Sequence, residues 1–199
     1  MKLYWIGIFA LTGLVQAAGS AGAADATASL FGVPVGQPLS VPKCEIFNSK
    51  LGYSKPVQGD SLCSYPKPSK SATDQYFDIY FPKNGQPDFV PGMFDKFDAT
   101  IRDGIVEKLR TFTTGLTSQD EILKLLTDKY GKPTAIIRHE AQNLMGAKFQ
   151  TIEAHWAVGT DLVNFIGAMA VDGGMIEVIT GEQSSRDHQE LTQPKGPPL

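Results

Sequence analysis

The clearest helix in this chain falls between Thr117 and Pro133, and its surroundings read as strands. Ser118-Gln119-Asp120-Glu121 has the spacing of a capping box, in which the serine hydroxyl accepts a backbone N–H near Glu121 while the glutamate reaches back. Ile122, Leu125, Leu126 and Tyr130 then repeat at helical spacing as one apolar stripe. Asp120 and Glu121 sit at the positive end of the helix dipole, and Lys124 and Lys129 fall later. Gly131 can take a left-handed turn and Pro133 blocks continuation, so the spacing predicts a core helix over 118–130.

Before the helix, Tyr76 to Phe81 is aromatic and β-branched and ends at Pro82 and an Asn84-Gly85 turn pair, which predicts a strand. Asp103-Gly104 separates Phe97–Arg102 from Ile105–Thr113, the strongest short hairpin signal in the chain. Strict alternation would put Ile105, Glu107, Leu109 and Thr111 on one face and Val106, Lys108, Arg110 and Phe112 on the other. After the helix come four strand-like runs, at 134–140, 148–158, 162–171 and 175–180, with glycines at the turns. Ile101 to Leu109 resembles Ala170 to Val178, and each hairpin ends in Thr-Gly. That pattern reads either as a short internal duplication or as two independent Asp-Gly hairpins. The expected fold class is α+β: an antiparallel β-sheet packed against one main helix, 118–130, with a disulfide-tied irregular N-terminal segment.

Lys2 followed by the uncharged apolar run Leu3–Val15 has the form of a signal peptide, too short to span a bilayer comfortably. Small residues place cleavage after Ala23, with Ala17 as the alternative, and the absence of a nearby cysteine excludes a bacterial lipoprotein anchor. This predicts a periplasmic or secreted bacterial protein with a Sec-type leader and no membrane span once the leader is removed. Cys44 and Cys63 are the only cysteines, and in an oxidising compartment they are expected to bond to each other. Prolines at 34, 38, 42, 56, 66 and 68 forbid long regular elements between them. The expected organisation is a leader at 1–23, a Pro/Gly-rich disulfide segment at 24–73, an α+β domain at 74–189 and a flexible tail at 190–199.

Gly115-Leu116-Thr117 opening the helix, Tyr130-Gly131-Lys132-Pro133 closing it, and a later strand with His155-Trp156-Ala157-Val158 together resemble the BamE (SmpA/OmlA) and β-lactamase-inhibitor-protein folds over residues 115–181. Those families begin such a unit with Gly-Met-Thr, a helix and a Gly-Pro, and here Leu116 stands where Met is usual. The resemblance implies a non-catalytic exported protein that works by contact with other proteins.

Searching for chemistry turns up few constellations. Eighteen basic against twenty-one acidic residues give a net charge of -3, which disfavours nucleic-acid binding. His139-Glu140 opens like a zinc-protease motif, but Asn143 stands at the second ligand position. His139 and His155 with Glu153 form one conceivable metal set, and Asp95, Asp98, Asp103 and Glu107 are conceivable acid pairs. Polar strand histidines and turn-side acids are more often structural or solvated, and His188 lies in a polar tail. No nucleophile elbow, phosphate loop or dinucleotide fingerprint is present, so no catalytic residue, metal or cofactor is assigned. Tyr53 and Tyr65, with Lys50, Lys55, Lys67 and Lys70, lie in or beside the disulfide loop as a candidate interaction surface. The expected function is a non-enzymatic periplasmic binding module whose partner is another envelope or secreted protein. An uncharacterised periplasmic enzyme and a small-ligand carrier are the alternatives.

Overall fold

The computed structural model describes residues 27–192 except 49, 51–53, 70, 143–144 and 171–172. The expected leader at 1–23, Tyr53, Lys70 and the tail beyond 192 lie outside the described residues. Strands β1 (Ser29–Leu30) and β2 (Val33–Pro34) pair with each other, as do β3 (Glu45–Asn48) and β4 (Ser54–Val57). Eight further strands form one antiparallel sheet: β5 (Cys63–Lys67), β6 (Asp74–Tyr80), β7 (Lys96–Arg102), β8 (Ile105–Thr113), β9 (Ala135–Gln142), β10 (Lys148–Val158), β11 (Asp161–Ala170) and β12 (Gly173–Ile179). Their spatial order is β5-β6-β7-β8-β12-β11-β10-β9. The sheet is thus two four-stranded meanders joined through β8 and β12. Helix α1 (Gln119–Tyr130) follows the first meander and helix α2 (Gly181–Thr192) the second.

This architecture is mostly β and corrects the expected α+β fold with a single packing helix. Two sequence regions account for the difference. The segment expected to be irregular holds β1 to β4 and also β5, the first strand of the main sheet; β5 tolerates Pro66 because an edge strand can spare one ladder hydrogen bond. Residues 181–192 form a second helix, although Gly-Glu-Gln-Ser-Ser-Arg-Asp-His carries no apolar stripe to announce one. That helix also extends through residues 190–192, where a flexible tail was expected.

Asp103 and Gly104 both have positive φ, 51° and 82°, the backbone a two-residue hairpin turn demands. The pairing slips by one residue beyond it, because Val106 faces Ile101 while Lys108 faces Thr100, leaving Glu107 as the extra residue of a bulge. The strict alternation expected for β8 therefore fails there. Val106 is buried on the same side as Leu109 and Thr111, while Lys108, Arg110 and Phe112 point the other way.

One face of the sheet is the core face. Over the second meander it is covered by α1, whose Ile122 and Leu126 sit above Ile152, Ala154, Trp156 and Phe165. Two polar ties fix the helix: Trp156 Nε1 donates to the Gly131 carbonyl at 2.9 Å, and the Gln119 side chain bridges the Gln150 carbonyl and the Ile152 N–H. Gly167 lies directly under that bridge, where a Cβ would come within 2.6 Å of Gln119 Oε1. The expected capping box is absent. A 3-10 turn at Gly115–Thr117 runs into the helix, so the Ser118 hydroxyl accepts from Thr114 Oγ1 instead of a helix N–H. Over the first meander the cover is the short β1–β2 hairpin and the loop chain that flanks it. Phe31, held at φ 49° in the β1–β2 turn, packs against Phe81 and Phe97 with ring centres 4.9 and 5.1 Å away.

Candidate functional site

Cys44 and Cys63 are bonded, and the chain between them rises as the β3–β4 hairpin. Its root is stitched to the main sheet, since Cys44 N donates to the Ser64 carbonyl at 2.9 Å and Ser64 N donates to the Pro42 carbonyl at 2.7 Å. Register places Phe47 opposite Lys55 and Glu45 opposite Val57, so Phe47, Val57 and Lys55 share one side of the arm, with the Lys55 ammonium 5.8 Å from the Phe47 ring centre. Phe47 and Val57 are 48% and 40% exposed, and Ile46, on the other side, is 43% exposed. A disulfide-rooted hairpin therefore holds three large apolar side chains away from the core.

The sequence-nominated residues are only partly gathered here. Lys50 and Lys55 are exposed in or beside the arm, whereas Tyr65 is half-buried in β5 beside Asp78. Lys67 turns away onto the sheet, and Tyr53 and Lys70 lie outside the described residues. Ile46, Phe47 and Val57 were not singled out from sequence. The signal available was the apolar pair Ile46-Phe47 between Glu45 and Asn48, obscured by the prolines before and after it.

The second feature is the face of the sheet opposite the core. In cross-strand register, Tyr65, Asp78, Asp98, Arg110, Glu177, Asn164 and His155 form one row, one residue per strand from β5 to β10. In the first meander this row anchors a lattice of ion pairs. Asp78 binds Lys96 at 2.5 Å and Lys67 at 3.2 Å; Asp98 binds Lys67 and Arg110, each at 3.1 Å; Asp74 binds Arg102 at 2.6 Å. Glu107, buried at the bulge, meets Arg186 of α2, and Lys108 reaches Asp187 at 2.8 Å, so α2 is clamped to this ionic face. A cleft of about 310 Å³ opens between the lattice and α2, bordered by Asp74, Tyr76, Arg102, Lys108, Arg110 and Asp187.

The resolved protonation shifts of the aspartates, lysines and arginine in this lattice all strengthen the charged form, while burial raises neighbouring Tyr80 and favours its neutral phenol. Burial works against the charge on Asp98, but hydrogen bonds and charges from Arg110 and Lys67 outweigh it and hold the carboxyl below its usual range. Asp74 is lowered chiefly by its hydrogen bond to Arg102. Burial likewise opposes the ammonium groups of Lys67 and Lys96, and their aspartate partners raise both. Such groups are mutually neutralised ions, the opposite of a general acid or base poised near neutrality.

Of the nominated acids, Asp98 and Glu107 belong to this lattice, Asp103 sits exposed in the hairpin turn, and Asp95 accepts Phe81 N–H at its backbone carbonyl. His139, Glu153 and His155 do come together on β9 and β10. Glu153 lies 3.1 Å from His155 Nε2 and 3.5 Å from His139 Nε2, and His155 Nδ1 is 2.9 Å from Asn164 Oδ1. His155 is thus engaged at both ring nitrogens. Among the described residues no group of three or more His, Cys, Asp or Glu has the geometry to hold a metal ion. His188 lies exposed on α2, far along the chain from this trio.

No protein-family model, curated protein or solved structure matches the chain. The Cys44–Cys63 bond fits a protein that folds in an oxidising extracellular or periplasmic compartment. Among the described residues no helix is long and apolar enough to cross a membrane.

Proposed function

We propose that this protein is an exported, non-enzymatic protein-binding module, an accessory, adaptor or inhibitor of another envelope or secreted protein. In this reading a Sec-type leader at 1–23 directs it to the periplasm or beyond. The observation that carries the proposal is the disulfide-rooted arm with Ile46, Phe47 and Val57 exposed on it. Apolar side chains on a pre-ordered hairpin bind with little ordering cost, and an aromatic anchor beside a cation is a common centre of a protein contact. The helix-then-meander likeness to BamE and β-lactamase-inhibitor-protein folds belongs to the same proposal, since those proteins act by contact.

Two alternatives draw less support. An enzyme needs an ionisable group shifted toward its working pH, and the lattice shifts run the other way. A small-ligand carrier needs an apolar cavity beneath α1, where Ile122, Ile152 and Trp156 are each 1% exposed and fill the space.

The test places a photo-crosslinking amino acid at Phe47, and separately at exposed Met93 away from the arm, in protein exported by its host. A discrete protein adduct at position 47, absent at 93 and lost in the Cys44→Ser/Cys63→Ser pair, is the expected result. Adducts at neither position, together with a metabolite that raises the melting temperature, would replace this reading with a ligand or substrate one.

A further inference from the structure

The two edges of the eight-stranded sheet are managed differently. At the β5 edge the segment Pro42–Cys44 lies alongside Ser64 with two backbone hydrogen bonds, and Pro66 and Lys67 follow. Prolines, lysines and a covering segment are the usual devices that keep an edge from pairing with another chain. Along Ala135–Gln142 the β9 edge shows, among the described residues, none of these three. Ala135 to Gln142 contains no proline and no lysine, is exposed over nearly its whole length, and among the described residues pairs with β10 alone. It carries bare isoleucines on both faces, Ile136 at 47% and Ile137 at 43% exposure. A strand of this kind is a template for strand addition.

The sequence of β9 also says what fits it. Two copies related by a two-fold axis normal to the sheet must pair antiparallel with residues of the same face opposite each other, which allows only every second register. The two such registers with the longest overlap centre on Arg138 or on His139. Centring on Arg138 sets two like charges directly against each other. Centring on His139 sets Arg138 against Glu140 of the second copy, and Glu140 against its Arg138, while Ile137 meets Ala141 and Ile136 meets Gln142. Glu140 already meets Lys148 of its own chain at 2.8 Å through Oε1, an exposed pair that leaves Oε2 for a second cation. Opposite charges directly across an antiparallel pair stabilise it, and like charges there oppose it.

We propose that β9 is a self-complementary edge and that a second copy of this chain pairs with it about His139, extending the sheet across a dimer. The proposal stands on the β9 sequence and its open edge, independently of the arm. Exposed Arg138 and Glu140 permit a charge-swap test with little risk to folding.

Sedimentation equilibrium of the wild-type protein should show a dimer at concentrations on the order of 100 μM. R138E opposes two glutamates across the axis and E140R opposes two arginines, so each alone should weaken dimerisation by about tenfold or more. An equal mixture of R138E and E140R restores both opposite-charge pairs in a heterodimer and should recover dimer, as should the R138E/E140R double variant. Melting temperatures equal to wild type at a dilution where every form is monomeric establish that each variant is folded. A wild-type protein that stays monomeric, single variants that dimerise as well as wild type, or a mixture that fails to recover would each overturn the proposal.

Discussion

The two meanders share a strand plan and differ in what lies on each face. The first, β5 to β8, is roofed on its core side by the short β1–β2 hairpin around Phe31 and its flanking loops, and carries the ion lattice on its other side. The second, β9 to β12, is roofed by a regular amphipathic helix, and its outer face alternates neutral and apolar residues such as Leu162, Ile166 and Met175 with the row of Glu177, Asn164 and His155. A helix brings its own backbone hydrogen bonds to the roof, whereas irregular chain must find partners elsewhere. The first roof extends the β1–β2 pairing with Val35 N donating to the Ala28 carbonyl, and finds outside partners where Gly36 N donates to the Val106 carbonyl and Tyr130 and Lys129 reach the Ser29 carbonyl. The two roofs are therefore tied to each other at the end of α1.

Core truncation would separate the two regions most strongly. Trp156 is fully buried and also holds the Gly131 carbonyl, so Trp156→Ala should cost about 4 kcal/mol. Phe97, central to the Phe31–Phe81 cluster, should cost about 3 kcal/mol as Phe97→Ala. Denaturant titration gives the totals, and amide exchange gives the location. Trp156→Ala should deprotect α1 first and Phe97→Ala the β1–β2 roof; identical exchange patterns would mean that the roofs do not open separately.

A smaller effect is expected where α2 is clamped to the first meander. Glu107 is 6% exposed and meets Arg186, with Arg102 at 3.8 Å. Glu107→Gln keeps the volume but leaves two guanidinium groups facing a neutral amide, at a cost of about 2 kcal/mol. Loss of amide protection in α2, with the second meander unchanged, is the expected result. Unchanged α2 protection would show that the helix is held by something other than this carboxylate.

How far these features could be read in advance depended on how each region makes its contacts. Ile105–Thr113 and Lys148–Val158 are β-branched and apolar runs bounded by turn residues, and those strands have the bounds that the pattern predicts. The helix at 119–130 is where its apolar stripe and Gly131 place it, although Ser118 does not cap it. Helix α2 was hidden because ion pairs to Glu107 and Lys108 hold it, and such contacts leave no apolar periodicity. Strand β5 was hidden by Pro66, and the faces around Val106 by a bulge that local sequence does not announce. Of the candidate arm, only its disulfide root was legible. The ion lattice was legible in part, because Lys108 and Arg110 were placed on one face, but their partners on β6 and β7 are set by long-range register.

The gentlest way to sharpen the comparison is pH, because the two outer faces differ in which ions they hold. The carboxyls of Asp74 and Asp98 are lowered in the folded protein relative to the ordinary value near 3.9. A lowered folded value means that the unfolded chain takes up protons first. The stability these groups contribute is thus present above about pH 4 and lost as pH falls through their folded values. Lys67 and Lys96 are raised, so their contribution is present below about pH 10.4 and lost as pH rises through their folded values. Thermal unfolding should therefore be flat through neutrality and decline below about pH 4. Asp98→Asn should lie below wild type at pH 6 and decline less steeply toward pH 3, the two curves converging as the wild-type carboxyl is protonated. Parallel curves would show that Asp98 contributes packing alone, and that the lattice is a covering of the first meander with no share in holding it together.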